Sequence, residues 1–578
     1  MTSPTLSITG KRWQYHPPLA STARIQATQG KPHRIVAASL ARQGYNETTY
    51  HLALKPNYQR DRHDSFLLRD MRKAVARIQQ AITNREMVLL ISDFDVDGVT
   101  ASLVTNTGLQ AAGVKASQLG ARIPDRFTEG YGLSEKILRE AKAQGYQVAI
   151  TLDIGINSHR EATLAKELGI DLIICDHHLP DGEDTPADAF AVLCPKGGTG
   201  SDYPNKDLAA CGVALKFAEA LLQAHPTRHK IIASLLKIAA LGTVADMVSL
   251  TGLENRAIVA NGLAALSENC TNLGLLALLN ISGVTGALKA SDVGFKLGPR
   301  LNAAGRLAHA NEALQLFYAK TPAEAHQAAR RLDDLNTERK ELQERLTQTI
   351  LASLDQRALP PVLVFAGAHP PYHQGVLGIV CTRISQETNR PVFIGSLNSA
   401  GLIHGSARGI PGFHVVEAMR STGDLLIKCG GHPAAGGFTL AQEHLDEFQA
   451  RLNRYAEALP PSLPYPELWV DDQLELRELN ERLLTELAQL EPHGMGNPAP
   501  LFALNNLMLE SLRVMKEKHL RLVLTDGTQT ITALWWNAAQ YSKAIEAASL
   551  LHLAGQPEIN EWAGRRSLQF NITDVMVQ

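Results

Sequence analysis

MVLLISDFDVDG (87–98) decides the fold. An unbroken apolar run, MVLLI (87–91), is followed by three acids at two-residue spacing, Asp93, Asp95 and Asp97. Such a run predicts a strand covered on both faces, as in parallel sheets. Two further stretches repeat the design. VAITLD (148–153) ends on Asp153, and LIICDHH (172–178) ends on Asp176, His177 and His178. Between and after these runs, 100–112, 134–144 and 158–168 read as helices. The alternation predicts a parallel sheet with helices on its faces.

In such sheets the ligand crevice lies beyond the carboxyl ends of the strands. Neighbouring strands lie about 4.8 Å apart, so acids on adjacent ends converge. A fourth acid, Asp246, follows another apolar segment in LGTVADMVSL (241–250). Carboxylates crowded into one crevice take up protons or bind cations. Asp and His together suit Mn2+, or Mg2+ with less use of imidazole. Asp93 and Asp95 can serve two sites, and Asp153 can bridge a metal pair about 3.5–4 Å apart. Asp97 precedes Gly98 and reads equally well as a turn residue that caps the next helix.

Outward from this core the chain changes character. Residues 1–84 are polar and mixed and read as an arm or small helical cap. A mostly helical section follows the sheet and ends in a long charged segment, 321–354. There Leu332, Leu335, Leu342, Leu346 and Ile350 form one apolar stripe, the mark of a connecting helix. Pro360 and Pro361 end it. A second α/β unit runs from about 362 to 455. ALPPSLPYPEL (458–468) has four prolines in eleven residues and reads as a linker. Beyond it LRLVLTD (520–526), TITALWW (530–536) and SLQFNITDV (567–575) suggest a small β-barrel. The expected units are 1–84, 85–320, a connecting helix at 321–358, 359–456 and 457–578.

Composition narrows the function. The 578 residues hold 56 Lys and Arg against 58 Asp and Glu, a net charge of -2. With 45% apolar and 20% charged residues, a disordered, fibrous or disulfide-stapled chain is excluded. A polyanionic substrate must be met by a local groove or by bound cations. The six cysteines form no CxxC pair and read as reduced thiols. No apolar leader core and no run of about 18 apolar residues is present, so a cytoplasmic protein without a membrane span is expected.

Candidate donors for a phosphodiester lie downstream. LGPRLNAAGRL (297–307) offers Arg300, Asn302 and Arg306; Asn302 and Arg306 share a helical face. SARGIPGF (406–413) offers Ser406 and Arg408 in a loop able to form an anion nest. GGHPAAGG (430–437) offers His432, and PDRF (124–127) offers Arg126. Each has a plainer reading: the arginines can pair with local acids, and the glycine-rich loops can be simple turns. In the barrel, Arg513, Lys516, Lys518 and Arg521 flank His519, and Arg565 and Arg566 form a second basic pair. Trp469, Trp535, Trp536 and Trp562 are stacking candidates for unpaired bases, or core residues.

The motifs also resemble a family. SDFDVDG (92–98), TLDIG (151–155), DHH (176–178) and GTVAD (242–246), in this order, resemble the four motifs of the DHH phosphoesterase superfamily. PDRFTEGYGLS (124–134), LGPRLNAAGRL, HQGVLGIV (373–380), SARGIPGFH (406–414), GGHPAAGGF (430–438), GMGNPAPLF (494–502) and NEWAGRRSLQF (560–570) are similar to its single-strand-specific exonuclease branch. The resemblance covers roughly residues 85 to 578. It implies an α/β fold: a parallel-sheet DHH domain, a long helix, a smaller DHH-associated domain with the GGH motif, and a C-terminal OB-fold.

The resemblance also implies roles. Asp93, Asp95, Asp153, His177 and Asp246 become ligands of Mn2+ or Mg2+ at two sites. His178 acts beside the scissile phosphate and Asp176 orients its neighbours. Arg126, Ser406 and Arg408 hold a 5′-terminal phosphate, with Arg300, Asn302, Arg306, His373 and His432 also facing substrate. The implied activity is 5′→3′ hydrolysis of single-stranded DNA to 5′-mononucleotides, in repair and recombination. A helicase and a single-strand-binding protein are implied partners, and nothing in the sequence demands more than a monomer. Two departures stand out. No histidine precedes Asp93 in MVLLIS, which leaves one metal site a ligand short and weak. SARGI places Gly409 where the family pattern has a serine. Two alternatives remain: a phosphodiesterase of oligoribonucleotides or small nucleotides, and a non-catalytic strand-binding scaffold. A small substrate needs no barrel-bearing C-terminus, and a decayed scaffold would have lost ligands.

Overall fold

In the computed structural model the Met87–Ser92 strand lies inside a five-stranded parallel sheet. The order is Leu119–Arg122, Met87–Ser92, Tyr146–Leu152, Asp171–Cys175, Ala191–Leu193. The structure describes residues 6–130, 132–182, 184–197, 201–355, 358–459, 465–562 and 565–578. Val88 and Leu90 face one core with Val104 and Leu109 of the Val96–Ala112 helix. Leu89 and Ile91 face the other with Ile137, Leu138, Ala162 and Ala165. Burial on both faces is why the strand carries no polar alternation. The first strand of this sheet in chain order, Met87–Ser92, sits between the second and third. The chain therefore leaves it first to one side and then crosses to the other, and a crevice opens at that switch point.

The helix Pro322–Ser353 joins the first domain to the second. Thr321 Oγ1 accepts from the amide of Glu324, and Pro322 occupies the first turn, where its missing N–H costs nothing. Ala329, Leu332 and Leu335 belong to the core of the first domain. Leu342, Leu346 and Ile350 belong to the core of the next. One apolar stripe thus serves two cores in succession, which fixes the spacing of the domains. The second domain has a mixed sheet ordered Leu426–His432, Ala435–Ala441, Leu402–Arg408, Val392–Leu397, Leu363–Ala368. Its last two strands are parallel and the rest antiparallel.

The C-terminal strands Phe502–Met515, His519–Thr525, Thr530–Trp535, Arg565–Val577 and Leu551–Trp562 close into a five-stranded barrel. Pairing of the first with the last completes the ring. The short strand Asp472–Leu474 adds alongside.

The N-terminal 84 residues do not form one cap. Ile25, Ile35, Val36, Leu40 and Ala53 lie in one core with Leu504, Leu522, Leu553 and Phe570 of the barrel. Tyr58, Leu68, Met71 and Ile78 lie in the core of the parallel-sheet domain. The supposed linker is also partly structured. Glu467–Val470 pairs in parallel with Arg12–Tyr15, and residues 460–464 lie outside the described part. Trp13 anchors this pair, buried, with Nε1 donating to Asp574 Oδ2 at 2.8 Å.

Candidate active site

Three adjacent strands deliver three acids in register. The amide of Asp93 donates to Leu152 O at 3.1 Å, that of Asp153 to Cys175 O at 3.0 Å, and that of Asp176 to Leu193 O at 3.1 Å. Each acid is thus the first residue beyond its strand, held by one more ladder bond. Asp153 has φ +66°, a conformation L residues seldom adopt outside functional turns. Asp95 is the N-cap of the Val96–Ala112 helix; its Oδ1 accepts from the amides of Asp97 at 2.9 Å and Gly98 at 3.1 Å. A side chain at Gly98 would meet Asp93 O at 2.5 Å, so this turn needs glycine. Asp246 ends the Arg228–Ala245 helix.

These elements converge on His177. Its Nε2 lies 3.2 Å from Asp153 Oδ1, 3.4 Å from Asp246 Oδ2 and 3.9 Å from Asp97 Oδ2. Three donor groups come within 4.8 Å: Asp93 with Asp95 and Asp153; Asp97 with His177 and Asp246; Asp153 with His177 and His178. Asp153 belongs to two of them. Asp97 is not the cap that its turn-like setting allowed. It is fully buried, and its carboxylate accepts from the amides of Ala210 at 2.7 Å and Cys211 at 2.9 Å while facing His177. The signal in the sequence was the third acid of the alternation, which Gly98 obscured.

The electrostatics are those of a cation site. Burial, then Asp95, push the Asp93 carboxyl well up. Burial and the surrounding acids do the same to Asp153. Asp246 is raised to about 8 by burial and by Asp97 and Asp95. Burial pushes His177 down, towards its neutral, metal-ligating form. Asp153 Oδ1 and both ring nitrogens of His177 are buried without a hydrogen-bond partner. Each such orphan costs about 1–3 kcal/mol, against a stability of about 5–15 kcal/mol for a typical domain. A divalent cation supplies what Asp153 Oδ1 and the lone-pair nitrogen of His177 lack, so the donor set fits one.

His178 differs from its neighbour. Its side chain is 44% exposed, and Nδ1 lies 2.7 Å from Asp176 Oδ1. Burial alone would lower its pKa, but the bond to Asp176 raises it to about 9. Asp176 is buried, yet bonds from the His178 ring and from the amides of Ile156 and His178 bring it down to about 2. Its Oδ1 also accepts from the amide of His177 at 2.7 Å. One carboxylate therefore orients the His178 ring and holds the backbone of both histidines.

Opposite the acids stands a group of cations. Arg126 packs over the Phe94 ring at 4.9 Å and faces Asp93, Asp95 and Arg408. Arg306 donates to Gly375 O and faces Arg126, Arg339, Asp95 and Arg408; burial, then those arginines, lower it to about 10. Arg339, on the connecting helix, carried no signal in the sequence because it sits in a long charged helix. Ser406 and Arg408 alternate on the Leu402–Arg408 strand, and both flank Gly378. His432 faces Arg408. A Cβ at Gly409 would meet Phe413 O at 2.8 Å, so glycine suits this strand end where a serine was expected.

Not every expected donor joins this group. Arg300 pairs with Asp333 of the connecting helix at 2.8 Å and donates to Lys296 O, the plainer of its two readings. Asn302 Oδ1 accepts from the amide of Val96 at 3.1 Å and so steadies the acidic turn. A cavity of about 630 Å³ runs from Asn302, Arg306 and Arg339 past Met247, Phe295 and Met495 to Gln556 of the barrel. Phe295 is 83% exposed. These apolar residues escaped sequence reading because nothing in their spacing sets them apart from core.

On the barrel, Arg513 and Arg521 stand directly opposite each other across two strands, both exposed, with Lys516 and Lys518 exposed at the connecting turn. Trp536 is exposed and edge-on to His519 at 4.9 Å, whereas Trp535 is core and stacks on Tyr541. Trp469 is exposed and stacks on His16. Arg566 is exposed and 3.6 Å from Glu481. The side chains of Arg565 and Trp562 lie outside the described residues.

Comparison with known proteins places each unit. A DHH family N-terminal domain model matches residues 87–243, a DHHA1 domain model 360–458, and a RecJ OB domain model 470–574. The chain is 34% identical over 571 residues to the single-stranded-DNA-specific exonuclease RecJ of Bacillus subtilis, covering 98% of this chain and 71% of that protein. The crystal structure of RecJ from Thermus thermophilus in complex with Mn2+ superimposes with a TM-score of 0.83 at 30% identity, covering 99% of this chain and 80% of that one. The corresponding Mg2+ complex superimposes with a TM-score of 0.77 at 28% identity, covering 98% and 79%.

Proposed function

As the chain belongs to the RecJ family of single-stranded-DNA-specific exonucleases, we propose that the acids and histidines at residues 93–246 are its hydrolytic centre and the facing arginines its phosphate clamp. The protein is a metal-dependent exonuclease on single-stranded DNA, with Mn2+ or Mg2+ as cofactor. The observation that carries the site assignment is the set of buried ligand atoms on Asp153 and His177 that make no hydrogen bond, set against Arg126, Arg306 and Arg408.

In this reading Asp93, Asp95 and Asp153 would hold one ion. His177, Asp246 and Asp153 would hold the other, with the Asp97 carboxylate facing His177 Nε2 at 3.9 Å. When bound, the ions supply Lewis acidity, polarising the phosphoryl group and the attacking water. His178 keeps a proton on Nδ1, donated to Asp176 Oδ1, and its exposed ring faces substrate as a cation that offsets charge developing on the phosphoryl oxygens. Asp176 is the positioning residue. Arg126, Ser406 and Arg408, with His373 and His432 nearby, hold the 5′-terminal phosphate, which gives 5′→3′ polarity. The apolar wall at Met247, Phe295 and Met495 receives bases. Arg513, Lys516, Lys518, Arg521 and Arg566 follow the phosphates along the barrel.

Because this site accepts only unpaired DNA, a helicase that opens duplex and a single-strand-binding protein are the partners this reading calls for, in repair and recombination. We assign the protein to the cytoplasm and read it as a monomer. All six cysteines are free thiols. Among the described residues no single helix is long and apolar enough to cross a membrane. Single strands labelled at either end, incubated with Mn2+, Mg2+ or EDTA, test the assignment. Immediate release of labelled mononucleotide from the 5′ label, lost in EDTA, is expected. Release from the 3′ label first would reverse the polarity, and cleavage in EDTA would remove the metal centre.

A further inference from the structure

The cleft has two unequal ends. Seen from Arg306, one end opens into the 630 Å³ cavity that leads past Phe295 and Met495 to Gln556 of the barrel. At the other end the two domains meet. A Cβ on Gly375 would lie 1.9 Å from Arg306 O, so the Gly298–Leu307 helix and the start of the Gln374–Thr388 helix touch backbone to backbone. Beside this contact the loop after Arg126 carries Phe127 across the cleft. Its ring stands edge-on to His373 at 5.7 Å, and His373 stands against His369 at 5.0 Å. Aromatic rings at this separation are in van der Waals contact and leave no width for a nucleotide between them. Arg126, the residue before Phe127, is fixed on Phe94 beside Asp93 and Asp95, so the aromatic row stands immediately next to the acids.

From this geometry we infer that the Phe127–His373 contact is an end stop, which restricts cleavage to the terminal phosphodiester by blocking passage of the strand beyond the site. The inference deepens the exonuclease reading and rests on it. An internal bond can be cut only if the chain continues on both sides of the acids. Entry from the barrel side is open, and exit past Phe127 is closed. This restriction is separate from charge recognition by Arg126, Ser406 and Arg408. A phosphate clamp ranks one terminus above another, but it does not forbid an internal phosphodiester. Phe127 is 40% exposed and contributes little to any core, so its ring can be removed without unfolding the loop.

The test compares the wild-type full-length protein, Phe127→Ala and Phe127→Trp with Mn2+. The substrates are a linear single strand with a 5′-phosphate, the same strand with a 5′-hydroxyl, and a covalently closed circle of the same sequence. Wild type and Phe127→Trp cut only the linear strands. Phe127→Ala keeps linear cleavage within about threefold, as expected for an exposed substitution. It cuts the circle at least about tenfold faster than wild type, equivalent to about 1.4 kcal/mol of barrier. Phe127→Ala that cuts linear strands normally and leaves the circle at the wild-type level overturns the end stop. So does a loss of linear cleavage in Phe127→Ala, since a stop contributes nothing at the terminal bond. Failure of wild type on both linear strands would instead remove the exonuclease reading, and the end stop with it.

Discussion

Asp153 is the residue at which the proposed metal centre is most directly tested. It lies at the end of the central strand with its backbone at φ +66°, contributes to two of the three donor groups, and leaves Oδ1 buried and unpartnered. Asp153→Asn keeps the shape and removes the charge that the proposed pair of cations would share. Cleavage is expected to fall by more than about a hundredfold, the upper range for loss of merely an outer partner of a metal ligand. Strand binding, set by the arginines and the barrel, should hold. A second readout is thermal. Saturating the wild-type protein with Mn2+ at about a hundred times Kd should stabilise it by about 2.7 kcal/mol, and chelation should reverse this. Asp153→Asn should show little of that shift; an equal shift in both proteins would move the metal elsewhere. The acids beyond the strand ends were legible because a strand that stops on Asp leaves its carboxylate at the crevice. Asp97 was not, since Asp-Gly is also how helices begin. Arg339 was not, since only the packing of the connecting helix turns that residue inward.

Elements show the same division. Three of the five strands of the parallel sheet could be read directly, because burial on both faces leaves them an unbroken apolar run; the short edge strands Leu119–Arg122 and Ala191–Leu193 could not, having three or four residues each. The connecting helix could be read from its stripe, though that it serves two cores in turn depends on where each half packs. The strand Arg12–Tyr15 could not be read: it has four residues, and its partner Glu467–Val470 lies 455 positions away in a proline-rich stretch. The barrel hairpin holds a further consequence. Arg513 and Arg521 are paired across antiparallel strands, and like charges so placed oppose folding by roughly 0.2–1 kcal/mol. A hairpin that keeps this repulsion is suited to an anion lying over it. Arg513→Glu should therefore raise the barrel's melting temperature slightly while weakening its hold on long single strands. The slope of log affinity against log salt should fall by about 0.7 for each phosphate that is no longer neutralised. A more stable hairpin with unchanged affinity would place the strand on another face of the barrel.

At the scale of the whole molecule, Arg256 is one of several contacts, with Leu250 N to Met495 O, Tyr45 to Thr251 O and Lys289 to Glu491, that join the parallel-sheet domain to the barrel side. Arg256 is buried in the metal-side domain; its Nε donates to Ala53 O at 2.9 Å, and its remaining nitrogens reach Gln43 Oε1 and Leu490 O. Gln43 and Ala53 belong to the N-terminal segment that completes the barrel's core, and Leu490 to the helical approach to GMGNPAPLF. One guanidinium thus bonds both the N-terminal complement and the approach to the barrel to the domain that holds the acids. Removing residues 469–578 would be a poor test of the barrel. It would strip Ile35, Val36 and Leu40 of the core they share with Leu504 and Leu522, and lost solubility would mask lost binding. Arg256→Met in the full chain is cleaner. It keeps the bulk and removes the hydrogen bonds, at about 1–3 kcal/mol for each buried partner left unmet. The acids, His178 and the arginine clamp are untouched, so strands too short to reach the barrel should be cut at the wild-type rate. Long strands should bind more weakly and be released sooner, because the barrel no longer holds a fixed distance from the cleft. Hydrogen exchange should quicken in residues 34–54 and 487–497 while the parallel sheet stays protected. If short and long strands lose equally, Arg256 supports the fold of the metal-side domain rather than the coupling between the two.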